Sequence, residues 1–237
     1  MEAVESATRR KAMKRVFVIR HNSRNKKDET DPQTPTMMGF IEAFIMGLIL
    51  AKDFGVKLFT DIIASPQPRG TRTAQILEFA VSLFNSKGDG LKLICPIRTA
   101  DGLNDFSSDP RFAAVKGEFK KAKGNAEIES EQAIFLAGGA VEELRQTKLN
   151  EAIAVIDGID TDGDVLVGGI HGATSDGLYA HYAQKLIVEA APGMSAFGRM
   201  MGKCEGFILH YDEACKLADI AKVERPAWLN ALAYLVK

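Results

Sequence analysis

Arg20, His21 and Arg24 fall close together in the run Arg20-His21-Asn22-Ser23-Arg24-Asn25, directly after the apolar stretch Val16-Phe17-Val18-Ile19. A histidine between two arginines is a candidate nucleophile inside an anion site. A neutral imidazole can attack phosphorus and carry the phosphoryl group as phosphohistidine, which divides one hard displacement into two easier ones. Guanidinium suits the peripheral oxygens, because its planar fork donates bidentately and stays charged. Two further groups of this kind follow, Ser65-Pro66-Gln67-Pro68-Arg69 and His171-Gly172. A second, charged histidine could hold an equatorial oxygen while charge builds in the transition state. The chain has no Walker A loop, no HExxH or HxxEH spacing and no acid cluster suited to two metals, so arginine would take the place of magnesium. No metal and no cofactor is expected.

These groups need elements that bring them together. Val16 to Arg20 begins as a β-branched and aromatic run and reads as a buried strand that stops on polar residues. Leu58 to Ala64, Leu91 to Ile97, Asp164 to Ile170 and Gly206 to His210 read as four more strands. Pro96 places the third of the series at an edge. Lys216 to Val223 reads as a sixth, antiparallel edge strand. Helices are expected between them. The first starts on Thr34-Pro35 as N-cap and first position and runs to about Phe54, with Gly55 as its stop and apolar residues almost all round. The second runs from about Gly70 to Phe84 and buries Ala74, Leu77, Ala80, Val81 and Phe84. Others span about Ser175 to Glu189 and Pro226 to Val236.

Strands alternating with helices predict a three-layer α/β/α sandwich on a mostly parallel sheet with an antiparallel edge strand. Ligands bind at the carboxyl ends of such strands, so Arg20-His21, Ser65 to Arg69 and His171-Gly172 can converge. The charged, strandless segment from Pro110 to Asp157 is expected to form helices. We read 1–237 as one domain with a helical cap over 105–157.

Composition narrows the partners. The formal net charge of −1 gives no global basic field for nucleic acid or a membrane surface. Phe40 to Ala51, the most apolar segment, is too short to cross a bilayer and contains Glu42. Cys95, Cys204 and Cys215 form no CxxC pair, which fits a reducing, cytoplasmic setting. Met1 to Lys14 lacks the apolar core of a secretory signal, and its basic residues, with Arg15, read as a solvated lead-in. Asp160 to Asp164 reads as a turn rather than a calcium loop, and His181 and His210 as structural histidines. Oligomeric state is not legible.

Taken in order, the motifs resemble those of the histidine phosphatase superfamily, on its phosphoglycerate mutase-like branch. Arg20-His21 resembles the RHG motif, with Asn22 in place of the glycine. Ser65 to Arg69 with Thr73-Ala74 resembles SPxxRxxxTA, Thr34-Pro35 with Gly39 the TPxGxxQA helix start, and Val165 to Gly172 the late strand ending in HG. The resemblance implies His21 as the phosphorylated nucleophile and Arg20, Arg69 and His171 as the phosphate pocket. Arg24 stands where the RHGxR version has its second arginine, and Asn22 and Ser65 border the pocket. Leu103-Asn104-Asp105 is similar to the family's LxE segment, which implies Asp105 as proton donor, with Asp101 second. The implied activity is metal-independent hydrolysis of a phosphorylated substrate. The alternatives are a mutase-type phosphotransfer, or a phospho-ligand binding module with weak catalysis.

Overall fold

Val16, Phe17, Val18 and Ile19 are completely buried, and they build the strand on which the sheet is centred. The computed structural model describes residues 13–23, 34–86, 95–104, 106, 109–124, 137–187 and 202–229. Its sheet contains β1 (Arg15–Arg20), β2 (Asp61–Ala64), β3 (Ile97–Thr99), β4 (Asp164–Ile170), β5 (Gly206–Tyr211) and β6 (Leu217–Val223). Their order is β3-β2-β4-β1-β5-β6. The first four are parallel, while β5 pairs antiparallel with both β1 and β6. Three parallel neighbours, β2, β4 and β1, therefore end side by side at one edge of the sheet.

Alternation along β1 sorts the core into two clusters, one on each face. Phe17 and Ile19 pack with α1 (Met37–Lys52) and α2 (Pro68–Asn85) through Ala43, Met46, Leu50, Ala74, Leu77 and Val81. Val16 and Val18 pack with α4 (Gly139–Asp157) and α5 (Gly172–Ile187) through Leu149, Ala152, Ile156, Leu178 and Tyr182. This is the expected three-layer arrangement. A third cluster joins Phe106, Val115 of α3 (Phe112–Lys123), and Val141 and Leu144 of α4. The long helix α4 thus contributes one half to this satellite cluster and the other to the main core. Among the described residues no helix is long and apolar enough to cross a membrane.

Several boundaries differ from the sequence expectation. The N-cap of α1 is Thr36, whose Oγ1 accepts from the Gly39 amide at 2.9 Å, while Thr34 Oγ1 accepts from Arg72. An N-cap side chain accepts from the amide two or three residues further on, and Thr36 has that spacing to Gly39. The helix ends at Lys52, ahead of Gly55. As expected, it is covered on most sides: Glu42, Ala43, Met46 and Leu50 face the core, Phe44 and Ile49 are partly buried against it, and exposure is confined to Met37, Phe40 and Lys52 at the two ends. Phe84, expected on the buried face of α2, is exposed near that helix's end. Strand β3 begins after Pro96 rather than ending near it, since a proline has no N–H to give the ladder. Residues 87–94 lie outside the described set.

At the other edge of the sheet, two basic residues assigned to the lead-in are structural. Lys14 is buried, its Nζ donating to the Ile159 carbonyl and lying 4.6 Å from the Tyr211 ring centre. Arg15 opens β1 and pairs with Asp164 at 2.7 Å. The turn before β4 closes on Gly163 at φ +91°.

Candidate active site

His21 follows the last residue of β1 and is 3% exposed. Its amide donates to Ile170 O of β4 at 3.0 Å, and the next amide, of Asn22, donates to Thr73 Oγ1 of α2 at 3.2 Å. The imidazole Nδ1 lies 2.7 Å from the Asn22 carbonyl oxygen. A carbonyl only accepts, so Nδ1 carries the proton and Nε2 holds the lone pair. Burial first, then Lys203, His171 and Arg69, push the His21 imidazole well below the usual histidine range. A neutral imidazole with its lone pair on Nε2 is the nucleophilic form.

The backbone around Asn22 explains why asparagine stands where the related motif has glycine. Positive φ among the described non-glycine residues occurs at Cys204 and Cys215, not at Asn22. The carbonyl that orients His21 is a main-chain group, which any residue supplies. The Asn22 side chain is fully buried, and neither of its amide atoms meets a partner among the described residues.

Arg69 and His171 reach His21 because two glycines let α2 and β4 touch. The registers of β1 and β4 slip between Ile19 and Arg20, so that Ile19 opposes Gly168 and Arg20 opposes Ile170. Gly169 is the extra residue of this bulge, at φ +75°. A Cβ on Gly169 would land on the backbone of Gly70, one residue after Arg69. This close approach sets Arg69 Nε 3.1 Å from His171 Nε2, with a second guanidinium nitrogen also on the ring. The His21 and His171 rings are 4.7 Å apart, centre to centre. In this arrangement His171 accepts from Arg69, whereas the sequence reading gave it a donating, charged role.

Arg20 is buried at the end of β1, its amide donating to Glu205 O at 2.8 Å. Ser65 is fully buried after β2 and accepts at its hydroxyl from the Gln67 amide. Arg20, His21, Asn22, Ser65, Arg69 and His171 thus come together at the carboxyl edge. Arg24 and Asp105 lie outside the described residues. Asp101 lines an open cleft of about 590 Å³ with Asn104, Asp109, Lys148 and Glu151, and none of Arg20, His21, Arg69 or His171 borders it. His210 opposes Arg15 at the other end of β1, and His181 stands against Tyr182 on α5, so neither belongs to the cluster.

Three contributors were not read from the sequence. Lys203 Nζ lies 3.4 Å from His21 Nε2. Glu42, 2% exposed, accepts from the Ser23 amide at 3.1 Å and pairs with Arg225 at 2.6 Å. Glu205, also buried, accepts from the amides of Gly202 and Arg225. The orientation of β5 was the available signal. An antiparallel strand beside β1 starts where β1 ends, which brings residues 202–205 to the same edge.

The Glu42–Arg225 pair ties α1 to the segment after β6 and holds the Ser23 amide. Replacing Arg225 with methionine should lower stability by about 2–3 kcal/mol, somewhat less than for a fully enclosed pair, because the Glu42 carboxylate loses its counter-charge. Urea unfolding of the variant measures it; a loss below about 0.5 kcal/mol would place the pair among weak surface bridges.

No protein-family model matches this chain, and no curated protein does. Among solved structures it is similar to phosphoglycerate mutase from Bacillus anthracis Sterne, at 15% identity and a TM-score of 0.52, over 96% of this chain and 99% of that one. It is likewise similar to a protein of Escherichia coli K-12 provisionally named an alpha-ribazole-5'-P phosphatase, at 15% identity and a TM-score of 0.51, over 90% and 97% of the two chains. The chain has the phosphoglycerate mutase-like α/β fold.

Proposed function

We propose that this chain uses its phosphoglycerate mutase-like fold as a metal-independent phosphatase, hydrolysing a phosphomonoester through phosphohistidine at His21. The observation that carries the reading is the 2.7 Å contact of Nδ1 with the Asn22 carbonyl, which puts the lone pair on Nε2, amid cations. Attack by Nε2 forms the N–P bond as the ester P–O bond breaks. The leaving oxygen takes a proton, assigned through the family resemblance to Asp105. Water then attacks phosphorus, the N–P bond breaks, and inorganic phosphate departs. Arg20, Arg24, Arg69 and His171 hold the phosphoryl oxygens, with Arg69 exchanging the His171 ring for the entering dianion. Of the span 105–157 expected as a cap, the second half of α4 belongs instead to the main core through Leu149, Ala152 and Ile156, and the capping role is assigned to α3 and the first half of α4. Because the Asn22 backbone supplies the hydrogen bond that glycine would supply, the chemistry favours an enzyme over a binding module.

Incubation with p-nitrophenyl phosphate in the presence of a chelator should give steady turnover and an acid-labile, base-stable phosphoryl label on His21. Turnover that stops on chelation, or hydrolysis with no trappable label and full activity in His21→Ala, would overturn the proposal.

A further inference from the structure

The lysine that faces Nε2 of His21 belongs to none of the sequence motifs. Lys203 lies in the turn Gly202-Lys203-Cys204-Glu205 that leads into β5, 182 residues from the histidine it faces. The turn is fixed at several points. Glu205 Oε2 accepts from the Gly202 amide at 2.5 Å, and its Oε1 accepts from the Arg225 amide at 3.1 Å. The Glu205 carbonyl accepts from the Arg20 amide, and Cys204 is fully buried at φ +58°. The groups that hold the end of β1 thus also station the lysine backbone, and Lys203 itself is half-buried.

We propose that Lys203 is a further phosphoryl ligand that holds the His21 Nε2 lone pair between turnovers and moves to an equatorial phosphoryl oxygen when the N–P bond forms. The inference rests on the phosphatase reading above. Its geometry follows from in-line displacement, in which the attacking nitrogen and leaving oxygen lie on opposite sides of phosphorus. A group touching Nε2 can reach an equatorial oxygen but is on the wrong side to protonate the leaving group. Lysine suits the exchange because its charge is compact and its stem flexible. Donation to the lone pair opposes protonation of that nitrogen, and the incoming dianion draws the ammonium away. Among the described residues, the other charged or titratable groups around Lys203 are Arg20 on β1, Glu42 on α1, Arg69 on α2, His171 after β4, Cys204 and Glu205 beside it in the turn, and Arg225 after β6.

The test compares wild type with Lys203→Met and Lys203→Arg, using inorganic phosphate as the probe. Calorimetric titration gives the affinity, and NMR of the His21 ring carbons gives its protonation midpoint without phosphate. Lys203→Met should weaken phosphate binding by roughly 10-fold to 100-fold, the loss of one charge-assisted hydrogen bond, and raise the His21 midpoint. Lys203→Arg should restore most of the binding, since it keeps the charge. If the methionine variant fails to fold, Lys203→Gln supplies the same readouts. Unchanged phosphate affinity in the folded neutral variant overturns the inference, whatever the titration shows. When wild type still forms phosphohistidine in that case, only the role of Lys203 falls; wild type that neither binds phosphate nor forms phosphohistidine removes both readings.

Discussion

His21→Ala should reduce phosphomonoester turnover by roughly 10⁴-fold or more, the scale seen when a covalent nucleophile is removed. The fold should survive, because the main-chain bond from residue 21 to Ile170 remains and the removed ring faces a polar pocket rather than either apolar cluster. The control is His210→Gln at the opposite end of β1, which should leave turnover unchanged. Comparable losses in both variants would locate the chemistry elsewhere.

The same histidine fixes the sign of a pH effect. Its folded imidazole is held well below the usual range, first by burial and then by the nearby cations. The unfolded chain therefore binds a proton near pH 6.5 that the folded chain refuses. Stability contributed by this group is full above about pH 6.5 and falls as pH drops below it, down to the folded value. The acid limb of kcat/KM should likewise lie below the ordinary histidine pKa. Urea midpoints from pH 5 to 8 should slope more steeply in wild type than in His21→Ala; parallel slopes would show that His21 titrates normally.

Gly169→Ala should both destabilise the protein, by about 2–5 kcal/mol, and lower activity. Two effects add here. Left-handed backbone costs an L-residue about 1–2 kcal/mol, and an extra group forced into packed structure costs about 1–3 kcal/mol. The collision partner is the backbone of Gly70, which has no flexible end to move aside. Relief would come from separating α2 from β4, and that separation moves Arg69 away from His171. Gly55→Ala is the comparison: its φ is +68°, yet a Cβ there meets nothing within 4 Å. It should show only the backbone cost and full activity. Equal effects at the two sites would refute the close approach as the feature that assembles the pocket.

Much of the architecture was legible because it is written in local chemistry. The β-branched runs of β1 and β4 and their abrupt polar ends predicted buried strands and one shared edge. Asp164 to Ile170 was placed residue for residue. Boundaries slipped where one signal had two readings. Thr34-Pro35 has a capping sequence, but Thr36 stands at the right distance from Gly39. Phe40 and Met37 look like core residues by type, yet which positions of α1 stay exposed is decided by which residues α2 meets.

The cluster divides in the same way. Arg20, His21, Ser65, Arg69 and His171 were nominated from sequence because each sits at a strand end with its neighbours in a recognisable spacing. Lys203, Glu42, Glu205 and Arg225 carry no such spacing, for their meaning depends on partners far along the chain. What the sequence alone determined about this protein was which residue types stand at the ends of which strands. Only the tertiary structure decided that a carbonyl holds the Nδ1 proton, that a glycine bulge presses Arg69 against His171, and that a reversed strand delivers a lysine to Nε2. The physical reason is that hydrogen-bond roles and charge placement depend on distances between chain-distant groups, which composition and local periodicity do not encode.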